Sequence, residues 1–304
     1  MIRETLESIE LVEKNIQNLP ECSDKEQLKA IREKLLQEYD NCSPDDRVFL
    51  ARLSVRPHAE DIIKYLFDDF FEQVGDRLYD DDKSILGGIA LYHDRPVTVI
   101  AHRKGHNAQK CIDYNFGMPR PEGYRKALRI MEQAEKFRRP IITFIDTPGA
   151  YPGIEAEAHG QGCAIANNLA VMSRLSVPII SVVTGEGNSG GALAIGVANK
   201  ILMMENAIYS VISPEGFASI LWKDSSKSSQ ACPLLKITAK DLLAEGIADE
   251  VIEEPRGGAQ RNYKAAVSKI DEVLWKVLTD YDGFSKEGII LERQNKFRRI
   301  GQCS

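Results

Sequence analysis

Along the first forty positions apolar residues recur three and four apart, at Leu6, Ile9, Val12, Ile16 and Leu19, then at Leu28, Ile31, Leu35 and Leu36. That period is helical, and the break at 20–24, with Ser23 placed as an N-cap, makes the stretch a helical hairpin. Residues 47–58 read as a connector. Positions 59–74 predict an amphipathic helix with Ile62, Ile63, Leu66, Phe67, Phe70 and Phe71 on its buried face. The pattern then changes. Runs at 85–90 and 96–102, separated by Tyr92-His93-Asp94-Arg95, predict a β-hairpin. Next come two apolar, β-branched runs at 140–145 and 178–183, each followed by a glycine turn and a helical pattern. Pro140 and Pro178 open these two β-α units 38 positions apart, an internal echo that suggests a spiral of ββα turns rather than one open Rossmann sheet. Strands at 201–204 and 208–212 and helices near 217–222, 239–246 and 263–278 follow. The charged tail, 285–304, reads as peripheral.

Composition narrows the class. A chain of 304 residues, 43% hydrophobic and 28% charged, suits an α/β protein of one large domain or two modest ones. A net charge of -6 speaks against general nucleic-acid binding. No run approaches the roughly 18 apolar residues of a membrane span, and residues 1–30 have no signal-peptide core, so a cytoplasmic location is expected. The cysteines (Cys22, Cys42, Cys111, Cys163, Cys232 and Cys303) form no CxxC pair and read as reduced thiols, and no HExxH occurs. No metal is therefore expected in this chain. The acidic loop 76–83 reads as solvated. The basic loop 103–110 is either solvent-exposed or a clamp for the phosphates of a coenzyme A or nucleotide tail.

The densest chemistry lies at 185–192, Gly-Glu-Gly-Asn-Ser-Gly-Gly-Ala, between the 178–183 strand and a helix expected at 192–197. Amides at such a helix start have no helical partner and lie at the positive end of its dipole, which suits an anion or a developing negative charge. Three readings compete. Gly185-x-Gly187-x-x-Gly190 with Glu205 matches a dinucleotide fingerprint, although a β-α unit precedes it where the fingerprint usually opens a domain. Gly187-x-Ser189-x-Gly191 matches a nucleophile elbow, but the last histidine is His159, upstream of the serine. The third is an oxyanion hole made by the Gly190, Gly191 and Ala192 amides, which the pattern favours only slightly.

Four runs, NFGMPRPEGYRKALR (115–129), IITFIDTPGAYPG (141–153), GEGNSGGALAIG (185–196) and YSVISPEGFASILW (209–222), resemble the α subunit of bacterial and plastid acetyl-coenzyme A carboxylase carboxyltransferase. The resemblance covers about residues 1–280. It implies a crotonase-like (ClpP/crotonase) α/β superhelix of ββα units over 46–304, with the helical hairpin at 1–45. It also implies transfer of carboxylate from carboxybiotin, on the biotin carboxyl carrier protein, to acetyl-CoA, giving malonyl-CoA in the first step of fatty acid synthesis. The implied partners are a zinc-bearing β subunit in an α2β2 assembly, the carrier protein and biotin carboxylase. On this resemblance Gly190, Gly191 and Ala192 hold the biotin ureido oxygen, and Gly149, Ala150, Gly187 and Ser189 line the pocket. Glu186, Ser189 and Glu215 shape the loop. The family more often has glycine where Asn188 stands, and its N-terminal segment is longer. The alternatives left open are a crotonase-like hydratase or isomerase working alone, and a non-catalytic NAD-binding module.

Overall fold

The computed structural model describes residues 2–20 and 23–302; Cys22 and Cys303 lie outside them. Helices Ile2–Asn18 and Ser23–Asp40 form the expected hairpin, the second starting at Ser23 itself. The connector is not loop throughout, because Pro44–Ala51 is a helix. Ser43 and Asp46 close a capping box and Pro44 occupies the first turn, a start signal legible in Ser-Pro-Asp-Asp. The helix expected at 59–74 ends early, at Leu66. Asp68–Glu72 is instead an edge strand, β1, with a left-handed Asp69 (φ 50°) at a register shift and Phe71 turned out to solvent. The open edge of the next strand accepts the main chain there and outweighs the continuing helical period.

Strands β2 (Ile85–Tyr92) and β3 (Arg95–His102) form the hairpin, with His93 and Asp94 at positive φ in its two-residue turn. β4 (Ile141–Thr147) and β5 (Ile179–Asn188) follow in parallel. Then come β6 (Lys200–Met204), β7 (Ile208–Ser210) and β8 (Glu250–Ile252). The sheet runs β1-β2-β3-β4-β5-β6-β8 and forks at β5: Ile180–Val183 pair with β6, and Glu186–Asn188 pair with β7. The 38-residue echo is the register of β4 on β5, Ile141 opposite Ile179 through Ile145 opposite Val183. Thr143 Oγ1 and Ser181 Oγ hydrogen-bond across it at 2.7 Å. Both strands are buried from end to end, which is why they read as continuous apolar runs.

Helices Pro121–Lys136, Gln161–Met172 and Tyr263–Thr279 bury apolar faces in the main core. The tail is not peripheral. Helix Lys286–Arg299 inserts a fully buried Arg293, which donates to the Met172, Leu175 and Val177 carbonyls at 2.6, 2.7 and 2.7 Å and to Asn199 Oδ1. The 76–83 loop is not simply solvated either. Asp76 caps the Leu78, Tyr79 and Asp80 amides, and buried Asp82 accepts from the Arg120 amide at 2.7 Å. Among the described residues no group of three or more His, Cys, Asp or Glu side chains is arranged to hold a metal, and no helix is long and apolar enough to cross a membrane.

Candidate functional site

β5 does not stop at Val183. It continues as strand through Gly185-Glu186-Gly187-Asn188, and a one-and-a-half-turn helix starts at once, Ser189–Leu193, earlier than the expected 192–197. Packing requires the two glycines within the strand. A Cβ on Gly185 would stand 2.5 Å from Asp146 Oδ1, and one on Gly187 would stand 2.4 Å from the Tyr209 ring. Gly187 is buried, paired with Thr147 on one side and Tyr209 on the other. The fingerprint's acid is also engaged: Glu205 accepts from Arg47 Nη1 and from the Glu254 amide, both at 3.2 Å. These contacts explain the dinucleotide-like spacing without a dinucleotide.

The remaining predicted residues come together. Gly191 packs so closely on the preceding β-α turn that a Cβ there would stand 2.5 Å from Ala150 N and 2.6 Å from Gly149 C. Gly149 is at φ 139°, and Thr147 Oγ1 accepts its amide at 3.0 Å. Gly190 differs from Gly191, because a Cβ on it would meet only Ile165 at 3.7 Å, an ordinary contact. Ser189 is exposed at φ 57°, a left-handed serine at a strand-to-helix turn. No histidine serves it: His159 hydrogen-bonds Glu122 at 3.0 Å and packs edge-on against Tyr79.

Beneath the turn lies an ionic cluster that sequence reading divided among a connector, a basic loop and two motifs. Glu186 accepts from Arg52 Nε at 2.7 Å and from Lys104 Nζ at 3.2 Å. Lys104 Nζ also reaches Asp146 Oδ1 at 2.7 Å, and the same oxygen accepts the Glu186 amide at 3.0 Å. Arg52 donates outward to Glu215 at 2.6 and 3.3 Å. Burial works against the charge on Asp146, but Lys104 outweighs it and holds the carboxyl below the usual carboxylate range. Lys104 is raised, its two carboxylates exceeding its own burial penalty. Hydrogen bonding from Arg52 lowers Glu215. The basic loop is thus largely consumed by the fold: Arg103 pairs with Glu60 and Glu72, and His106 with Asp61.

His102, at the end of β3, lies against the main chain of Gly191 and Phe144, fully buried and with neither ring nitrogen in a well-formed hydrogen bond. Burial lowers it to about 3, so it is a neutral imidazole. Nothing in its sequence context marked it, since a lone histidine ending an apolar strand reads as ordinary.

A family model described as acetyl co-enzyme A carboxylase carboxyltransferase-like matches residues 2–301. The acetyl-coenzyme A carboxylase carboxyl transferase subunit alpha of Bacillus velezensis is 55% identical over 266 residues, 88% of this chain and 82% of that one. Its counterpart from Clostridium botulinum is 56% identical over 259 residues, 85% of this chain and 94% of that one. Among solved structures, transcarboxylase 12S superposes with a TM-score of 0.56 at 21% identity, over 70% of this chain and 41% of that one. A Pseudomonas malonate decarboxylase hetero-tetramer gives 0.58 at 16% identity, over 72% and 88%. The forked sheet of β-α units is accordingly the crotonase-like fold expected from the sequence. This chain belongs to the acetyl-coenzyme A carboxylase carboxyltransferase family, on the side of its alpha subunits.

Proposed function

We propose that this chain supplies the biotin side of a carboxyltransferase that moves carboxylate from carboxybiotin, borne on the biotin carboxyl carrier protein, to acetyl-CoA, with the 186–192 turn as its working surface. The observation that carries this reading is the contact between the two glycine turns. Gly191 seats directly on Gly149-Ala150, so two successive β-α units present one surface. The amides of Ser189, Gly190 and Gly191 have no intrahelical acceptor and are available to an oxygen that gains negative charge as the carboxyl group leaves, whereas Ala192, expected as a third donor, is the fourth helical residue and its amide closes the first turn on the N-cap Asn188 carbonyl. The donor set fits a ureido or thioester oxygen, which can only accept. Glu186 is the one side chain of the turn that could act as a base, and Arg52 and Lys104 already hold it. Main-chain donors therefore do the work, and Gly149, Ala150 and Ser189 line the approach while Gly187 supports it from within the sheet.

Biotin supplies a carboxyl carrier whose departing charge needs fixed donors; the chain's part is to orient that oxygen and exclude a competing base. The same engagement of Glu186, Asp146 and Glu215 disfavours a solitary hydratase or isomerase, which needs free acids over the acyl chain. A zinc-bearing β subunit would complete the acetyl-CoA side in an α2β2 assembly working with biotin carboxylase. Residues 46–304 would form the carboxyltransferase domain and 1–45 a packing arm.

The test is malonyl-CoA decarboxylation in the presence of free biotin, with and without a β partner. Activity is expected only with both chains. Gly190→Pro, at a first-turn position where proline costs the helix no hydrogen bond, removes one amide donor and should lose about 100-fold or more in kcat; Gly190→Ala, which keeps the amide and whose methyl meets no more than Ile165 at 3.7 Å, should fold normally and stay active. Full activity of a folded proline variant, or turnover by this chain alone, contradicts the reading.

A further inference from the structure

Glu186 is a buried carboxylate with two cations on one headgroup, and each cation has a second carboxylate of its own. The chain draws these charges from far apart: Arg52 caps the Pro44–Ala51 helix, Lys104 follows β3, and Asp146 stands near the end of β4. They converge where β5 leaves β4's register, between the Ile145–Val183 and Thr147–Gly187 pairs, the shift that turns the strand toward Ser189. Asn188 extends the array, since its amide nitrogen reaches Glu186 Oε1 at 3.3 Å and its oxygen accepts from Ser210 Oγ at 2.8 Å. The side-chain contacts of residues 186 and 188, which lead directly into the turn, thus centre on Glu186.

We infer that Arg52 and Lys104 are positioning residues for carboxyl transfer, acting on the turn through Glu186 without touching substrate. The inference rests on the 189–191 amides being the reacting surface. Lys104 is the inner bolt, with its headgroup between Asp146 and Glu186. Arg52, with about a third of its side chain exposed, is the outer one, and it ties the turn to Glu215 at the start of helix Pro214–Trp222. A shift of about 1 Å in donor position costs on the order of 100-fold in rate while leaving binding of the remote part of a substrate unchanged.

The geometry selects variants that can fold. Arg52→Gln leaves Glu186 paired with Lys104, and Glu186→Gln leaves Lys104 on Asp146 and Arg52 on Glu215. In the assembly of this chain with its β partner, kcat for biotin-dependent malonyl-CoA decarboxylation should fall about 10- to 100-fold in each, with KM for malonyl-CoA within about twofold. Arg52→Lys, which keeps the charge, should recover most of the loss. The double variant Arg52→Gln/Glu186→Gln should be no slower than the slower single, because both changes release the same turn. Multiplicative losses would mean that Arg52 acts on substrate directly, and unchanged kcat in a folded Arg52→Gln assembly would mean that it positions nothing; either overturns the inference. A melting-temperature drop with kcat intact gives it a purely structural role, which also overturns it. If Arg52→Gln does not assemble, the kcat of Arg52→Lys against Glu186→Gln decides: a loss in Glu186→Gln that Arg52→Lys does not share supports the inference, and unchanged kcat in Glu186→Gln ends it. Gly190→Pro separates the two levels, since full activity of the folded variant removes the reacting surface itself, whereas its loss beside an unaffected Arg52→Gln removes only the positioning role.

Discussion

His102 shows what one buried side chain costs and when. Its neutral form is held because burial lowers its pKa to about 3, against an ordinary 6.5 in the unfolded chain. Below pH 6.5 the unfolded chain binds a proton that the folded chain refuses, so stability is complete above that pH and falls as the pH drops toward 3. The slope is about 1.4 kcal/mol per pH unit from this group. Urea unfolding at successive pH values between 6.5 and 4.5 should show that slope reduced by about one proton in His102→Gln; an unchanged slope would place the histidine in water. The glycines of the turn make a second contrast at this scale. Gly191→Ala forces a methyl to within 2.5 Å of Ala150 N, a main-chain atom that cannot step aside, and should lose about 1–3 kcal/mol in a thermal melt. Gly190→Ala, whose methyl meets Ile165 at an ordinary 3.7 Å, should lose nothing measurable, so the two variants separate a glycine that the packing requires from one that it does not.

Helix Lys286–Arg299 carries few apolar residues, and its sequence reads as a solvated tail. What docks it is Arg293, whose guanidinium occupies the three carbonyls that end the Gln161–Met172 helix region and begin β5. Burial lowers Arg293 to about 10, still charged at neutral pH. Arg293→Met should cost at least about 3 kcal/mol in chemical denaturation, roughly 1 for each carbonyl left dry and unpaired, and a loss below 1 would show that water reaches them. Elements of this kind mark the limit of the sequence. Strands β4 and β5 were readable because apolar continuity and the Pro140–Pro178 echo both encode one local, repeated unit. The glycine turn was readable because its residue types are rare in combination, and its two halves proved to touch. The Asp68–Glu72 strand was not, since Phe70 and Phe71 continue a helical period and only the waiting edge of β2 decides against it. Nor was the Arg52–Glu186–Lys104 cluster, because pairings 134 and 82 residues apart leave no local pattern.

At the scale of the whole chain, cohesion is uneven, and the unevenness leads back to the site. The main core runs from Ala59 to Ile289 through every central strand, whereas the N-terminal hairpin is held by a satellite cluster of Ile2, Tyr39 and Leu50. Around it lie exposed pairs, Arg256 with Glu33 and Asp40, each worth little in water. Tyr39 carries more, being almost fully buried and accepting from Asn206 Nδ2 at 2.7 Å. Hydrogen exchange should therefore find residues 2–40 opening at a lower free energy than β4 and β5, as a separate unit. Leu50, the body's share of that cluster, stands two residues before Arg52, so the hairpin and the Glu186 clamp meet on one short helix. Tyr39→Ala should remove about 3 kcal/mol of the hairpin's protection, carry faster exchange through Pro44–Ala51, and leave the β4 amides untouched. Arg256→Ala should alter protection by less than about 1 kcal/mol. Uniform loss of protection across hairpin and sheet in Tyr39→Ala would mean that the hairpin is an integral layer of the core, and that no loosening of the N-terminus can reach the turn without unfolding the whole.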